Sequence, residues 1–324
     1  MAEWQVENGI AEERAIRIDN GQVTAARIHW PGELSAGQIE EAVLVSRLKD
    51  SPRGRVKFDS AEEALVDRLP HEASEGARLR VEVTRSQLKE RGRTKLAQTR
   101  PTDKAACPAP GLADVLAGNG ETVRQVIRFT DGDWEEIWSE AWSGMLDFPG
   151  GSLHFSTTPA MTLVDVDGSL PPRELALAAV EPLAHAIRRF DLGGSIGIDF
   201  PTLAAKADRK AVNEAMDAAL ADWPHERTAM NGFGFVQIVS RLERPSLLHR
   251  IAQGRVGAAT RLLLRRAEDV TDPGVLLVTC HPAVKARIKP EWLEELTRRS
   301  GREVRIVSDP ALALDAGFAQ TVQS

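Results

Sequence analysis

The alternation of apolar and polar positions over the first hundred residues is short-period and repeatedly broken. Arg14 to Asp19 and Gly21 to Trp30 flank the turn Asp19-Asn20-Gly21 and read as a β-hairpin. Residues 42–47, 54–58, 64–69 and 79–84 add strand candidates between Pro, Gly and Ser breaks, so residues 1–100 read as a small barrel or sheet. Residues 101–120, with Pro101, Pro108, Pro110, Gly111, Gly118 and Gly120, read as a linker. After it come a strand over 122–129, a turn at Asp131-Gly132-Asp133, and a helix in which Trp134, Trp138 and Trp142 share one face. That spacing predicts a core stripe of indoles.

The pattern is sharpest between 150 and 200. Leu153 to Ser156 reads as a strand that turns at Thr157-Thr158-Pro159 into the apolar run Met161 to Gly168, which carries Asp165 and Asp167 near its end. Pro171 to Phe190 repeats apolar or small residues at Leu175, Ala179, Leu183 and Ile187, a helical spacing with two prolines at its start. Gly193-Gly194 stops it, and Ser195 to Phe200 is a second buried strand carrying Asp199. Strand, helix and strand in this order predict a βαβ unit whose parallel strands bring Asp165, Asp167 and Asp199 to one rim. After residue 250 the pattern predicts a compact α/β appendage: a helix over 256–267, a strand over 275–279, a helix over 291–299 and a strand over 303–307.

Asp is a common turn former, so a single D-x-D carries little. Carboxylates converging from two strands repel each other unless a cation compensates them, which points to a divalent, oxygen-seeking ion. Composition narrows the setting. The 324 residues suggest about two domains, and 42% hydrophobic with 27% charged residues is a globular balance. No run nears the ~20 apolar residues of a membrane span and the start is no signal peptide, so a cytoplasmic protein without a membrane partner is expected. Cys107 and Cys280 stand far apart, in no zinc-ligand spacing, so free thiols and no zinc are expected. His281, beside Cys280, reads as a packed or capping residue.

The net charge of −6 argues against a surface built for duplex DNA. Local strips remain open to polyanions, above all Arg85, Lys89, Arg91, Arg93, Lys95 and Arg100. With no Tyr and 5% aromatic residues, stacking of single-stranded bases rests on a few side chains such as Phe58, Phe233 and Phe235. Arg261, Arg265 and Arg266 on the first appendage helix read as surface residues able to extend such a track.

The run GGSLHFSTTPAMTLVDVD (150–167), the helix after it, and DLGGSIGIDF (191–200) resemble the catalytic core of the ribonuclease E/G family, in which a GGS strand leads to an I-D-x-N strand and then to G-G-x-I-x-I-D-F. Arg209, Ala211 and Val212 continue the likeness. So do GFGFVQIVSRLERPS (232–246) and LKERGRTKL (88–96), the latter similar to the end of the family's S1 domain. The resemblance implies an α/β fold: an RNase-H/nuclease-like mixed sheet over 121–250 behind an N-terminal S1-like β domain over 1–100, with the appendage over 251–324. It implies an endoribonuclease cutting single-stranded RNA, with Asp165 and Asp199 holding Mg²⁺, or Mn²⁺ in its place. It also implies phosphate contacts from Arg91, Arg93, Lys95, Arg227 and Arg241, and base contacts from Phe58 and Phe233.

The chain departs from the family's pattern in ways that matter. Asp167 stands where the family usually has Asn, so a donor is replaced by an acceptor that acts as a further catalytic carboxylate or a third ligand. Leu65 stands where a second barrel aromatic is expected. The zinc-link motif is missing, so a homo-oligomer would need another contact, and the region that senses 5′-monophosphate ends is shortened. Two rival readings follow: a catalytically weakened RNA-binding relative, and a Mg²⁺-dependent phosphohydrolase on a smaller substrate.

Overall fold

Three antiparallel strands open the chain: β1 (Glu3–Gly9), β2 (Glu12–Asp19) and β3 (Gln22–His29). The computed structural model describes residues 2–90, 92–129 and 133–323. Asn20 and Gly21 form the two-residue turn between β2 and β3 with φ of 51° and 80°, the left-handed pair that matches strand twist. Next come β4 (Ile39–Arg47), β5 (Gly54–Phe58), β6 (Glu63–Val66) and β7 (Arg78–Arg85). β8 (Leu88–Glu90) and β9 (Arg93–Lys95) make a separate hairpin before β10 (Ala97–Pro101). Strands β4, β5, β6, β10 and β7 close into a five-stranded barrel. Its filling is the inward set Ala42, Leu44, Val56, Phe58, Ala64, Val66, Val81, Val83 and Ala97.

The single β domain expected over 1–100 is therefore divided. The barrel spans Ile39 to Pro101, while β1 to β3 belong to a four-stranded sheet with β11 (Val123–Val126), which pairs in parallel with β1. Ile16, Val23, Ala26, Ile28 and Trp30 pack into the large core of the C-terminal two thirds. A turn signal reports which strands pair locally, and the apolar face then decides what the pair packs against. The expected linker also carries structure, because α1 (Leu112–Gly118) lies in it.

After α2 (Asp133–Ser143) the central sheet begins: β12 (Met145–Phe148), β13 (Gly151–Thr157) and β14 (Thr162–Gly168). The expected single helix from Pro171 to Phe190 is two, α3 (Pro172–Ala178) and α4 (Val180–Arg189), meeting at Ala179. Pro182 explains the break, since it has no N–H to return to the carbonyl of Ala178. β15 (Gly194–Asp199), α5 (Lys206–Ala219), β16 (Glu226–Arg227) and β17 (Phe235–Ser240) complete the sheet in the order β12-β13-β14-β15-β17-β16. β14 and β15 are parallel, as the βαβ pattern requires, and their neighbours β13 and β17 are antiparallel to them. Leu183 and Ile187 of α4 lie in one core with Val164, Ile196 and Ile198 of the sheet and Val23 and Ala26 of β3. The helices thus fill the space between the two sheets. Trp134, Trp138 and Ala141 join that core, as the indole stripe predicts.

The tail follows its pattern closely. α6 (Leu247–Gln253) leads into α7 (Arg255–Asp269), β18 (Val275–Cys280), α8 (Pro282–Arg287), α9 (Pro290–Ser300), β19 (Val304–Ser308) and β20 (Phe318–Val322). His281 caps α8, its Nδ1 accepting from the Ala283 N–H at 3.0 Å. Arg261 is not a surface cation: it lies buried between the rings of Trp30 and Trp292, and desolvation lowers its pKa to about 10. Arg266 donates to the Asp315 and Gly317 carbonyls, and Arg265 faces Glu7, so this helix offers no basic track. Among the described residues, no helix is long and apolar enough to cross a membrane.

Candidate functional site

Strand register places the acidic residues. Asp165 of β14 is the direct partner of Asp199 in β15, and of His154 in β13. Asp199 in turn pairs with Phe235, and His154 with Met145. Directly paired residues present side chains to one face, with strands about 4.8 Å apart. One row therefore runs Met145, His154, Asp165, Asp199, Phe235 across five strands. The next row is Asp147, Ser152, Asp167.

The opposite face of these strands carries Leu153, Phe155, Val164, Val166, Ile196, Ile198, Val236 and Ile238, all buried against the helices. The acidic rows thus lie on an open sheet face. Asp165 and Asp199 are exposed and, among the described residues, engage no hydrogen-bond donor or basic side chain. Asp167 is exposed as well, its Oδ1 accepting from the Gly168 N–H at 2.8 Å. His154 is half-buried, with Nε2 at 2.9 Å from Ser152 Oγ. Beside the carboxylates the face turns apolar. Gly197 forms a floor where a Cβ would stand 2.6 Å from the Phe235 ring, 2.9 Å from Met161 Sδ and 3.0 Å from Leu163 Cδ2.

This donor set fits a Mg²⁺ ion, which keeps much of its water and takes one or two carboxylates alongside phosphate oxygens. Two free carboxylates on adjacent strands meet that need. Among the described residues no group of three or more His, Cys, Asp or Glu is placed to hold a metal ion, so protein ligation here would be limited to two carboxylates. Asp165 and Asp199 are the residues that would hold such an ion. Asp167, one row along on the same strand, faces the same way.

The expected RNA contacts divide. Phe233 is 81% exposed, two residues from the partner of Asp199, and stands at the rim of the site. Lys95 is exposed on β9 and, among the described residues, makes no ion pair; Arg93 is exposed and pairs with Glu90 at 2.5 Å. Arg91 lies outside the described residues. Two expectations are corrected. Phe58 is only 2% exposed and fills the barrel, so its ring has no face for a base. Arg227 turns to the helix side, where Asp217 at 2.5 Å and the Asn213 side chain at 2.9 Å hold it, and it cannot reach the open face.

Arg241 is exposed but distant. Ser240 pairs with Gly194, five residues before Asp199, which sets the two about 17 Å apart along the strand. It lines a cleft of about 560 Å³ with Arg68, Arg100, Arg244 and Arg250. Arg100, Arg241, Arg244 and Arg250 are paired with Glu82, Glu243, Asp191 and Glu33, whereas Arg68 makes no ion pair among the described residues. Burial works to raise the Asp191 carboxyl, but Arg244 at 2.7 Å and Arg27 at 3.6 Å hold it below its ordinary value. Burial likewise opposes Glu82, and hydrogen bonds from Arg100 and Lys104 bring it down. The basic strip is largely spent too: Arg85 is buried against the Leu96 carbonyl, and Lys89 pairs with Glu33 at 3.2 Å.

His154 and Asp147 are the residues that pattern reading misses. The signal for His154 is present, because Thr157 pairs with Thr162 and counting back from that turn sets His154 opposite Asp165. Comparison of the sequence with protein-family models and with curated proteins finds no match in either.

Proposed function

We propose that the protein is a metal-dependent endoribonuclease of the ribonuclease E/G type, acting on single-stranded RNA in cytoplasmic RNA processing or decay. The observation that carries this reading is the direct pairing of Asp165 with Asp199 on the open face of the central sheet. It accords with the resemblance of residues 150–200 to that family's core. A bound Mg²⁺ or Mn²⁺ would neutralise charge at the scissile phosphate and lower the pKa of an attacking water. Asp165 and Asp199 would hold the ion; Asp167 adds charge one row away. Phe233, free at the rim, offers a stacking face for a base. Lys95 and Arg93, on a hairpin that leaves the barrel, attract the RNA backbone. The five-stranded barrel supports an S1-like reading, since small barrels of this kind bind oligonucleotides. An open face also suits a polymer better than a small phosphate ester, which enzymes enclose in a pocket.

The test is cleavage of an end-labelled, AU-rich single-stranded RNA in Mg²⁺, beside EDTA and Asp165→Asn/Asp199→Asn. Internal cuts that need the metal and vanish in the double variant are expected. Cleavage that persists in that variant refutes the assignment. RNA held but left uncut by the wild type, in both Mg²⁺ and Mn²⁺, moves the reading to an RNA-binding relative.

A further inference from the structure

We propose that His154 is a substrate-contacting residue, whose ring donates a hydrogen bond to the phosphate seated over Asp165 and Asp199. The inference rests on the ribonuclease reading of that face and adds a residue to it. His154 stands directly opposite Asp165 in an antiparallel pair, on the side away from Asp199. Paired side chains in such a ladder have Cβ atoms about 5 Å apart, within reach of a group bridging the row.

The electrostatics of the face give His154 its task. β12, β13, β14, β15 and β17 contain neither Lys nor Arg. Their open side carries four carboxylates, Asp147, Asp165, Asp167 and Asp199, so a phosphate there meets repulsion on several sides. A bound cation answers part of it. Of the side chains in the two acidic rows, only the imidazole of His154 and the hydroxyl of Ser152 can donate to a phosphate oxygen.

The ring is also held. Nε2 lies 2.9 Å from Ser152 Oγ, and Ser152 is itself the partner of Asp167. When the Ser152 hydroxyl donates to Nε2, the neutral ring carries its proton on Nδ1, which has no hydrogen-bond partner among the described residues. Ser152 therefore acts as a positioning residue: it sets the ring's tautomer and angle and leaves Nδ1–H to the substrate. A fixed donor loses little freedom on binding, which favours a specific contact.

The experiment measures the dissociation constant of a fluorescent single-stranded RNA decamer in Ca²⁺, with RNA intactness checked on a gel. Three variants are compared with wild type: His154→Val, His154→Asn and His154→Gln. Valine suits a strand and removes the donor. Asn places an N–H near the position of Nδ1, whereas Gln places one near Nε2. The expected result is about tenfold weaker binding for His154→Val and His154→Gln, the loss of one hydrogen bond to a charged group. His154→Asn is expected within about threefold of wild type, and melting temperatures close to wild type establish that all three fold. Wild-type affinity in His154→Val overturns the role of His154 alone. A wild type that binds no RNA overturns both this role and the ribonuclease reading. Equal loss in all three variants, Asn included, overturns the Nδ1 donor.

Discussion

Asp191→Asn is the perturbation whose size the structure sets most directly. Asp191 accepts from Arg244 Nε at 2.7 Å and lies 3.6 Å from Arg27 Nε, each side chain about one fifth exposed. It sits just before Gly193-Gly194, which lead into β15 and so toward Asp199, and it ties that entry to the segment after β17. Its φ is 51°, a left-handed conformation that Asn tolerates, so the substitution removes charge without adding backbone strain. Breaking a fully buried pair costs about 3–5 kcal/mol; the partial exposure here screens the two arginines left facing each other, and about 2–3 kcal/mol is expected. The pH dependence has a definite sign. The folded carboxyl is held below its ordinary value, so its stabilising effect is complete above the unfolded pKa, near 4, and fades as pH falls through the folded one. Urea unfolding followed by circular dichroism at pH 7 and at the lowest pH where both proteins fold checks this. A deficit below about 1 kcal/mol at pH 7, or one that does not shrink in acid, refutes the reasoning.

Two further substitutions separate packing from binding. Phe58→Ala removes a ring that is 2% exposed in a barrel core of small residues, so a loss of about 3–4 kcal/mol of barrel stability is expected; hydrogen exchange of the barrel strands reads it, and unchanged protection with weakened RNA binding would restore a stacking role. Gly197→Ala pushes a methyl into Phe235, Met161 and Leu163, and a melting-temperature drop equivalent to about 1 kcal/mol is expected, overpacking being offset in part by the stiffer backbone. An unchanged or raised melting temperature would mean those side chains move aside freely.

The βαβ unit was legible because its signals are local: two apolar runs, a helical repeat and glycine punctuation. The pairing of Asp165 with Asp199 needs the register between parallel strands, which no local turn fixes, whereas His154 follows from the hairpin at Thr158 to Met161. Phe58 was legible in principle, since Val56 and Phe58 share one face of β5 while Arg55 and Lys57 share the other. The likeness to a family aromatic outweighed that alternation. Arg227 and Arg261 lie beyond local pattern altogether. Arg227 sits in a two-residue strand whose covered face is chosen by α5, and Arg261 is buried by two indoles far away in sequence, Trp30 and Trp292. The membership of β1 in a sheet with β11 is equally remote, a parallel pair closed across more than a hundred residues.

Parallel strands are ordinarily covered on both faces, because their crossovers pile helices on each side. Here only one crossover is parallel, and its helices α3 and α4 lie on the side facing the N-terminal sheet. The flanking strands β13 and β17 run antiparallel and arrive without a helix of their own on the open side. A sheet built this way has one face committed to the core and one free to carry charge. That freedom explains why Asp147, Asp165, Asp167 and Asp199 cost the fold little: each stands in water. It also explains why Gly197, and not a larger residue, lies between Leu163 and Phe235, since the strand's own neighbours already fill the space above it. The strands themselves, with neither Lys nor Arg, place no positive charge on this acidic face, and on the reading proposed above a metal ion would supply it.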